Sequence, residues 1–355
     1  MKILFFTKYS RNGASSRLRT MQYIPYFEKN GYKCTVKPLF DDEYLYKLYN
    51  GKRFYYHVFK YYIKRFFDLR KVFFNDVVVI EYELFPYFPA IFEWFFKIFK
   101  VKYIVDYDDA VFHNYDQSSN LFIHKILSNK IDLVMKYSSI VIAGNDYLAQ
   151  RALSAGAKRV EQIPTVVDID RYIQKSYNKA TNSTITIGWI GSPSTVKYVI
   201  FLFPVFYKLA EKFNITIHII GAYTTYKTQD FIHYIPWTEE TEKQEIAKFD
   251  IGIMPLENTN WEKGKCSYKL IQYMASKLPV IASPVGMNNE VVTHNVNGYL
   301  ASDFLEWENY LTKLILDDSL RINMGEEGYN NVKENYSLHK TSKKYINILK
   351  KVTHV

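Results

Sequence analysis

Twice along this chain, short apolar runs alternate with longer stretches patterned for helix, and a polar segment separates the two series. In the first series the runs are Ile3 to Phe6, Lys33 to Pro38, Val77 to Tyr82, Tyr103 to Asp106 and Ile140 to Ala143. In the second they are Ile185 to Ile190, Ile215 to Ile220, Ile251 to Met254, Val280 to Ala282 and Gly298 to Leu300. Runs this short and apolar, spaced by helices, predict parallel strands buried on both faces. A chain of 355 residues also exceeds one core of ordinary size and suffices for two. The expected fold is therefore α/β: two doubly wound, Rossmann-like parallel-sheet domains. The polar stretch Gln174 to Ser183 reads as the linker between them. In open sheets of this kind ligands bind beyond the carboxyl ends of the strands, and two such domains facing each other leave a cleft.

The net charge of +10 predicts an anionic partner: nucleotide, phospholipid surface or nucleic acid. Between Lys47 and Lys71 lie Lys47, Lys52, Arg53, Lys60, Lys64, Arg65, Arg70 and Lys71 against the single acid Asp68. Tyr55, Phe59, Tyr62, Phe66, Leu69 and Phe73 recur there at helical spacing, with Lys60, Lys64 and Lys71 on a neighbouring face. Such a basic amphipathic helix either packs its aromatic stripe on the first sheet, with the lysines in water, or lies on an anionic membrane. No nucleic-acid-binding pattern is recognisable, so nucleic acid is not expected as a partner. Cys34 and Cys266 are the only cysteines and fall in different expected domains, which supports neither a disulfide framework nor a zinc cluster and fits a reducing cytoplasm. The apolar start, Ile3 to Phe6, is too short for a signal-peptide core, and Glu93, Lys97, Lys100 and Lys102 interrupt the most hydrophobic candidate span. The expected location is the cytoplasm, with peripheral attachment at the inner face of the plasma membrane as the alternative the basic helix raises.

One segment is suited to a diphosphate. It runs Trp261-Glu262-Lys263-Gly264-Lys265-Cys266-Ser267-Tyr268-Lys269-Leu270-Ile271-Gln272-Tyr273-Met274-Ala275, then Leu278-Pro279-Val280-Ile281-Ala282-Ser283-Pro284-Val285-Gly286. Gly264, two lysines and Ser267 fall at the mouth of a helix, where free N–H groups and the helix dipole favour phosphate. If both are helical, Lys265 and Lys269 share one face. The plain alternative is a solvated basic face. Three more loops follow predicted strands. Asn12-Gly13-Ala14-Ser15-Ser16-Arg17-Leu18-Arg19 has small residues and two arginines but lacks the glycine spacing of a dinucleotide site, which argues against a dehydrogenase. Asp106-Tyr107-Asp108-Asp109-Ala110-Val111-Phe112-His113 gathers three carboxylates, so that either a cation is near or a proton is shared. Helix capping by Asp108 or Asp109 is the structural alternative. Gly191-Ser192-Pro193-Ser194-Thr195 is a further turn that can receive an anion.

The Trp261 to Gly286 segment resembles the donor-binding segment of the GT-B glycosyltransferases of family 4 (glycosyltransferase group 1), and Asp106 to Phe112 resembles the "D-x-D-D-A-x-F" signature of the same subgroup. The resemblance implies a GT-B fold, with residues 1–172 as acceptor-side domain, 173–337 as nucleotide-sugar-binding domain and 338–355 as a C-terminal helix returning to the first. It implies retaining transfer from a nucleotide diphosphate sugar to a saccharide acceptor, lipid-linked, in bacterial surface polysaccharide or glycan assembly. No cofactor and no metal are implied; an Asp-x-Asp metal site belongs to GT-A enzymes, whose single nucleotide domain does not fit a phosphate segment this far downstream. Asp108 and Asp109, with Lys265 and Lys269, are the catalytic candidates. Gly13, Gly191, Ser192 and Ser194 are donor-side candidates, as are Glu262, Gln272, Gly286 and Asn288. Ser16, Arg17 and Asp106 are acceptor-side candidates. The chain departs from the common pattern in two ways: no arginine follows Gly191, and Gly264 and Gln272 stand where two glutamates are usual. These departures raise the alternative of a catalytically silent GT-B subunit that binds a partner or lipid.

Overall fold

The computed structural model describes residues 1–49, 55–176, 184–223 and 229–353. The expected linker therefore lies outside the described residues from Tyr177 onward, as do Lys52 and Arg53 of the basic segment. The chain forms two compact units. One comprises Met1–Thr165, Lys263–Cys266 and His339–Val355, and the other Val166–Glu262 and Ser267–Leu338.

In the first unit six parallel strands, β1 (Lys2–Tyr9), β2 (Lys33–Phe40), β3 (Val77–Glu81), β4 (Tyr103–Tyr107), β5 (Ile140–Ala143) and β6 (Val160–Gln162), run in the order β2-β1-β3-β4-β5-β6. Phe5 pairs with Val36 on one side and Val79 on the other, and Val105 is flanked by Ile80 and Val141. Ile3 to Phe6 and Val77 to Ile80 are essentially without solvent contact on either side of the sheet. The strand order reverses between β1 and β3, so the loops after those two strands diverge and leave room for a ligand. The C-terminal helix, Leu338–Thr353, places Tyr345 edge-on to Tyr23 and Phe27, and Lys344 donates to the carbonyl of Gln162 at 2.7 Å.

The second unit repeats the architecture. Its strands are β7 (Ile185–Ile190), β8 (Ile215–Ile220), β9 (Ile232–Ile235), β10 (Ile251–Met254), β11 (Val280–Ala282) and β12 (Gly298–Leu300), in the order β12-β11-β10-β7-β8-β9. The reversal falls between β7 and β10. Trp189, Phe206, Ile217, Ile253 and Trp307 form its core with other buried apolar side chains. The fold is thus α/β with two doubly wound parallel sheets.

Two strands, β6 and β9, are absent from the expected set. Both are sheet edges with polar and half-exposed residues, Val160-Glu161-Gln162 and Ile232-His233-Tyr234-Ile235, so neither carries the continuous apolar signal of an inner strand. A larger correction concerns the basic segment. The helix expected from Tyr55 is present as Tyr55–Leu69 and runs into a 3-10 turn, Arg70–Phe74, while Asp42–Tyr49 is a helix ahead of the residues not described. The inward residues of the segment are Tyr61, Arg65, Asp68 and Val72 rather than the aromatic stripe. The cause is Arg65. Its guanidinium lies 4.7 Å from the Phe6 ring and donates to the carbonyls of Thr7 at 2.7 Å and Lys37 at 3.0 Å. Those carbonyls near the strand ends need a donor, and satisfying them with arginine turns the Phe59 and Phe66 side outward.

Candidate active site

In the first unit the chemistry gathers beyond β1, β3, β4 and β5. The Ala14–Arg19 helix begins at Gly13, where an added Cβ would collide with the Cβ of Tyr9. Ser16, expected to meet an acceptor, is fully buried; its hydroxyl donates to Glu81 at 2.6 Å and accepts the Tyr9 N–H at 2.9 Å. Ser15 donates to the other Glu81 oxygen at 2.8 Å. Ser16 thereby braces Glu81. Arg17 is buried too and donates to the carbonyl of Arg11 at 3.2 Å, which holds the loop on itself. Asp106, the other acceptor-side candidate, is a buried partner of Arg19, which grips it with two bonds at 3.0 and 2.6 Å. Arg19 also donates to the carbonyl of Ile163 at 2.8 Å. His113 is occupied by Asp116 at 2.7 Å and the Tyr147 hydroxyl at 2.9 Å.

Of the three carboxylates, Asp106 is thus neutralised by Arg19 while the other two face different conditions. Asp108 is pushed up to about 7, mainly by burial; Arg19 opposes the shift and the neighbouring Asp109 charge adds to it. The Tyr82 hydroxyl donates to Asp108, and Tyr82 holds a left-handed backbone at φ +61° just past the end of β3. Asp109 Oδ1 is buried without a hydrogen bond; the cation beside it is Lys265, with Nζ at 3.8 Å. A carboxyl titrating near neutrality beside a carboxylate facing a lysine can exchange a proton or stabilise developing positive charge.

Lys265, in the short stretch Lys263–Cys266 of the first unit, reaches Asp109. The Asn145 amide, just after β5, donates to the carbonyls of Lys263 at 3.1 Å and Lys265 at 3.0 Å, while its oxygen caps the Asp146–Ser154 helix. Gly264 is required by contact: a Cβ there would meet the Ala110 Cβ at 2.5 Å and the Ala110 nitrogen at 2.7 Å. The Cys266 thiol is buried and pushed well up by that burial, so it serves as packing.

In the second unit the donor-side candidates follow β7 and β10, the strands at its reversal, and the neighbouring β11. Gly191 is packed against the Trp189 ring, and Ser192 and Thr195 form a reciprocal capping box at the start of a 3-10 turn. Ser194 bonds the Ser192 hydroxyl at 2.8 Å. The expected helix after Ser267 spans Tyr268–Ala275, so Lys265 precedes it and the two lysines do not share a helical face. Lys269 lies in its first turn, with Nζ 5.7 Å from the Trp189 ring. Ser267 takes a left-handed backbone and donates to Asn288 at 2.7 Å, and Asn288 donates to the carbonyl of Ser283 at 2.9 Å. Asn288 is thus a buried brace between Ser267 and Ser283. Gly286, at φ +52°, makes the turn between Ser283 and Asn288. Glu262 is similarly buried, accepting the hydroxyls of Tyr198 and Thr259. Gln272 donates to Glu242 at 2.8 Å and to the Tyr172 hydroxyl at 3.0 Å, and Trp237 donates to the other Glu242 oxygen at 2.7 Å.

Several of these partnerships escape sequence reasoning. Asn145 has a signal, a capping residue directly after a strand. The pairings made by Arg19, Tyr82 and Glu242 have none, because their partners Asp106, Asp108 and Gln272 lie 87, 26 and 30 residues away.

Comparison with known proteins agrees with this architecture. Residues 184–317, which contain the Lys265 and Lys269 segment, match the family described as Glycosyl transferases group 1. That part of the chain is a glycosyltransferase group 1 domain, and the enzyme class is glycosyltransferase. No curated protein matches the sequence at a significant level. Among solved structures, HepE of Anabaena in complex with UDP-glucose superposes with a TM-score of 0.73 at 15% identity, covering 99% of this chain and 100% of that one. The sucrose-phosphate synthase of Thermosynechococcus elongatus gives 0.73 at 11% identity, covering 99% of both chains. The lipopolysaccharide outer core galactosyltransferase WaaB gives 0.64 at 13% identity, covering 99% of this chain and 100% of that one. At such identities the likeness is one of fold, and that fold is GT-B.

Proposed function

We propose that the protein is a retaining, metal-independent glycosyltransferase of family 4. It moves a sugar from a nucleotide diphosphate donor to a lipid-linked saccharide in the assembly of a bacterial surface polysaccharide or glycan. The observation that carries this reading is the segment from Gly264 to Lys269, inside the matched domain, with Lys269 in the first turn of a helix and Lys265 just ahead of it. Cations and free helix-end N–H groups favour a diphosphate as its charge grows during departure. In this reading the bond between the sugar C1 and the diphosphate oxygen breaks, and a bond from the acceptor oxygen to C1 forms. The acceptor proton passes to the departing diphosphate oxygen, so no metal or cofactor is called for. Asp108 and Asp109 orient the acceptor hydroxyl or stabilise positive charge on the sugar. The capping turn Gly191 to Thr195 and the Gly286 turn complete the donor side through backbone groups.

Calorimetric titration with UDP and GDP, together with hydrolysis of nucleotide sugars in the presence of a chelator, tests the reading. Lys265→Ala and Lys269→Ala are each expected to lower turnover by more than about tenfold, since a hydrogen bond to a charged group is worth roughly 1.5–3 kcal/mol. Their melting temperatures should stay near that of the wild type. Full activity in both variants overturns the assignment, and saturable nucleotide binding without turnover identifies a silent subunit.

A further inference from the structure

The turn of Arg65 toward the strand ends leaves an unusual surface. Phe66, Phe67, Phe73 and Phe74 are 54 to 73% exposed, and Trp94 and Phe99 from the neighbouring Ile91–Ile98 region are 45 and 62% exposed. The two regions form one patch, because the rings of Phe66 and Phe92 are 6.0 Å apart and those of Phe73 and Phe99 6.2 Å apart. Isolated exposed apolar side chains need no explanation, but a contiguous aromatic patch marks an interaction site.

The charges on the patch have one sign. Its two acids, Asp68 and Glu93, are both buried; Asp68 takes Lys71, and Glu93 turns in to accept the Leu84 N–H at 3.0 Å. Lys60, Lys64, Arg70 and Lys100 are exposed around it. We infer that this face docks on a bilayer bearing anionic phospholipids, with the aromatic rings seated among the headgroups and the basic side chains on the phosphates. The charge argues for this occupant over a second copy of the chain, since a self-complementary dimer would bring like charges together. No helix among the described residues is long and apolar enough to cross a membrane, so contact would be at the surface. No residue of this face belongs to the donor or carboxylate sites, so the inference stands or falls apart from the transfer reaction.

Flotation of the full chain with phosphatidylcholine vesicles, with and without phosphatidylglycerol, tests it. The wild type is expected to float with phosphatidylglycerol vesicles and to be released by salt. Each of Lys60→Ala and Lys64→Ala should weaken partitioning about fivefold. Phe66→Ser combined with Phe73→Ser and Phe74→Ser should abolish flotation while UDP titration and melting temperature stay unchanged; Trp94→Ser supplies the same readout should that triple variant not fold. A wild type that stays in the aqueous fraction at low salt overturns the proposal. So does flotation indifferent to these substitutions, or a concentration-dependent dimer in light scattering that the serine variants dissolve.

Discussion

Asp108 shows how strongly burial decides chemistry. The same aspartate in an unfolded chain loses its proton near pH 4, whereas in the folded protein it is pushed up to about 7, chiefly by burial. Between those values the folded state binds more protons than the unfolded one, so this carboxyl's contribution to stability declines as pH rises from about 4 to 7. An Asp108→Asn variant should lack that decline in a series of urea melts across pH. If the ionised form supports the acceptor, wild-type kcat/KM rises through pH 7, and the asparagine variant shows a flat profile in that region. Asp109 differs from Asp108 in its partner. Lys265 is the cation beside it, so Lys265→Ala removes the compensating charge as well as one of the proposed diphosphate contacts.

At the scale of elements, the stretch between the end of β10 and the Tyr268–Ala275 helix is held by close contact and by borrowed hydrogen bonds. Asn145 supplies donors to two carbonyls of that stretch, and Gly264 lies against Ala110 with no room for a methyl group. Gly264→Ala must push backbone away from backbone, because its Cβ would meet the Ala110 nitrogen at 2.7 Å. A loss of about 1–3 kcal/mol is expected from such overpacking, read as a lower urea midpoint, with turnover falling as Lys265 is displaced. The Tyr55–Leu69 helix teaches the complementary lesson. Its aromatic periodicity marks a face but not which way the face points, and Arg65 bonding to carbonyls near the ends of β1 and β2 outweighs the burial of a phenylalanine stripe.

At the scale of the whole molecule, each unit is a sheet whose inner strands are buried on both faces, and one ion pair ties much of the first unit together. Arg19 bridges Asp106 on β4 and the carbonyl of Ile163 beyond β6. Arg19→Met leaves the Asp106 charge buried without its partner and should cost about 3–5 kcal/mol, measurable by calorimetry as a lower melting temperature. The inner strands from Ile3 to Phe6 through Tyr103 to Asp106, and from Ile185 to Ile190 through Val280 to Ala282, were legible because burial on both faces writes a continuous apolar run into the chain. The start of the Tyr268–Ala275 helix was legible for a similar reason: glycine, lysine and serine ahead of an apolar-periodic run are local signals, readable within a few residues. The sequence by itself determined those two things, the repeated α/β architecture and the position of the basic helix start. Only the tertiary structure decided that Asp106, Ser16, Asn288 and Glu262 are buried and hydrogen-bonded within the fold, that Asp108 is pushed up while Lys265 stands beside Asp109, and that an aromatic face points outward. The physical reason is that each of these outcomes depends on partners distant along the chain, and burial and pairing take effect only once folding brings them together.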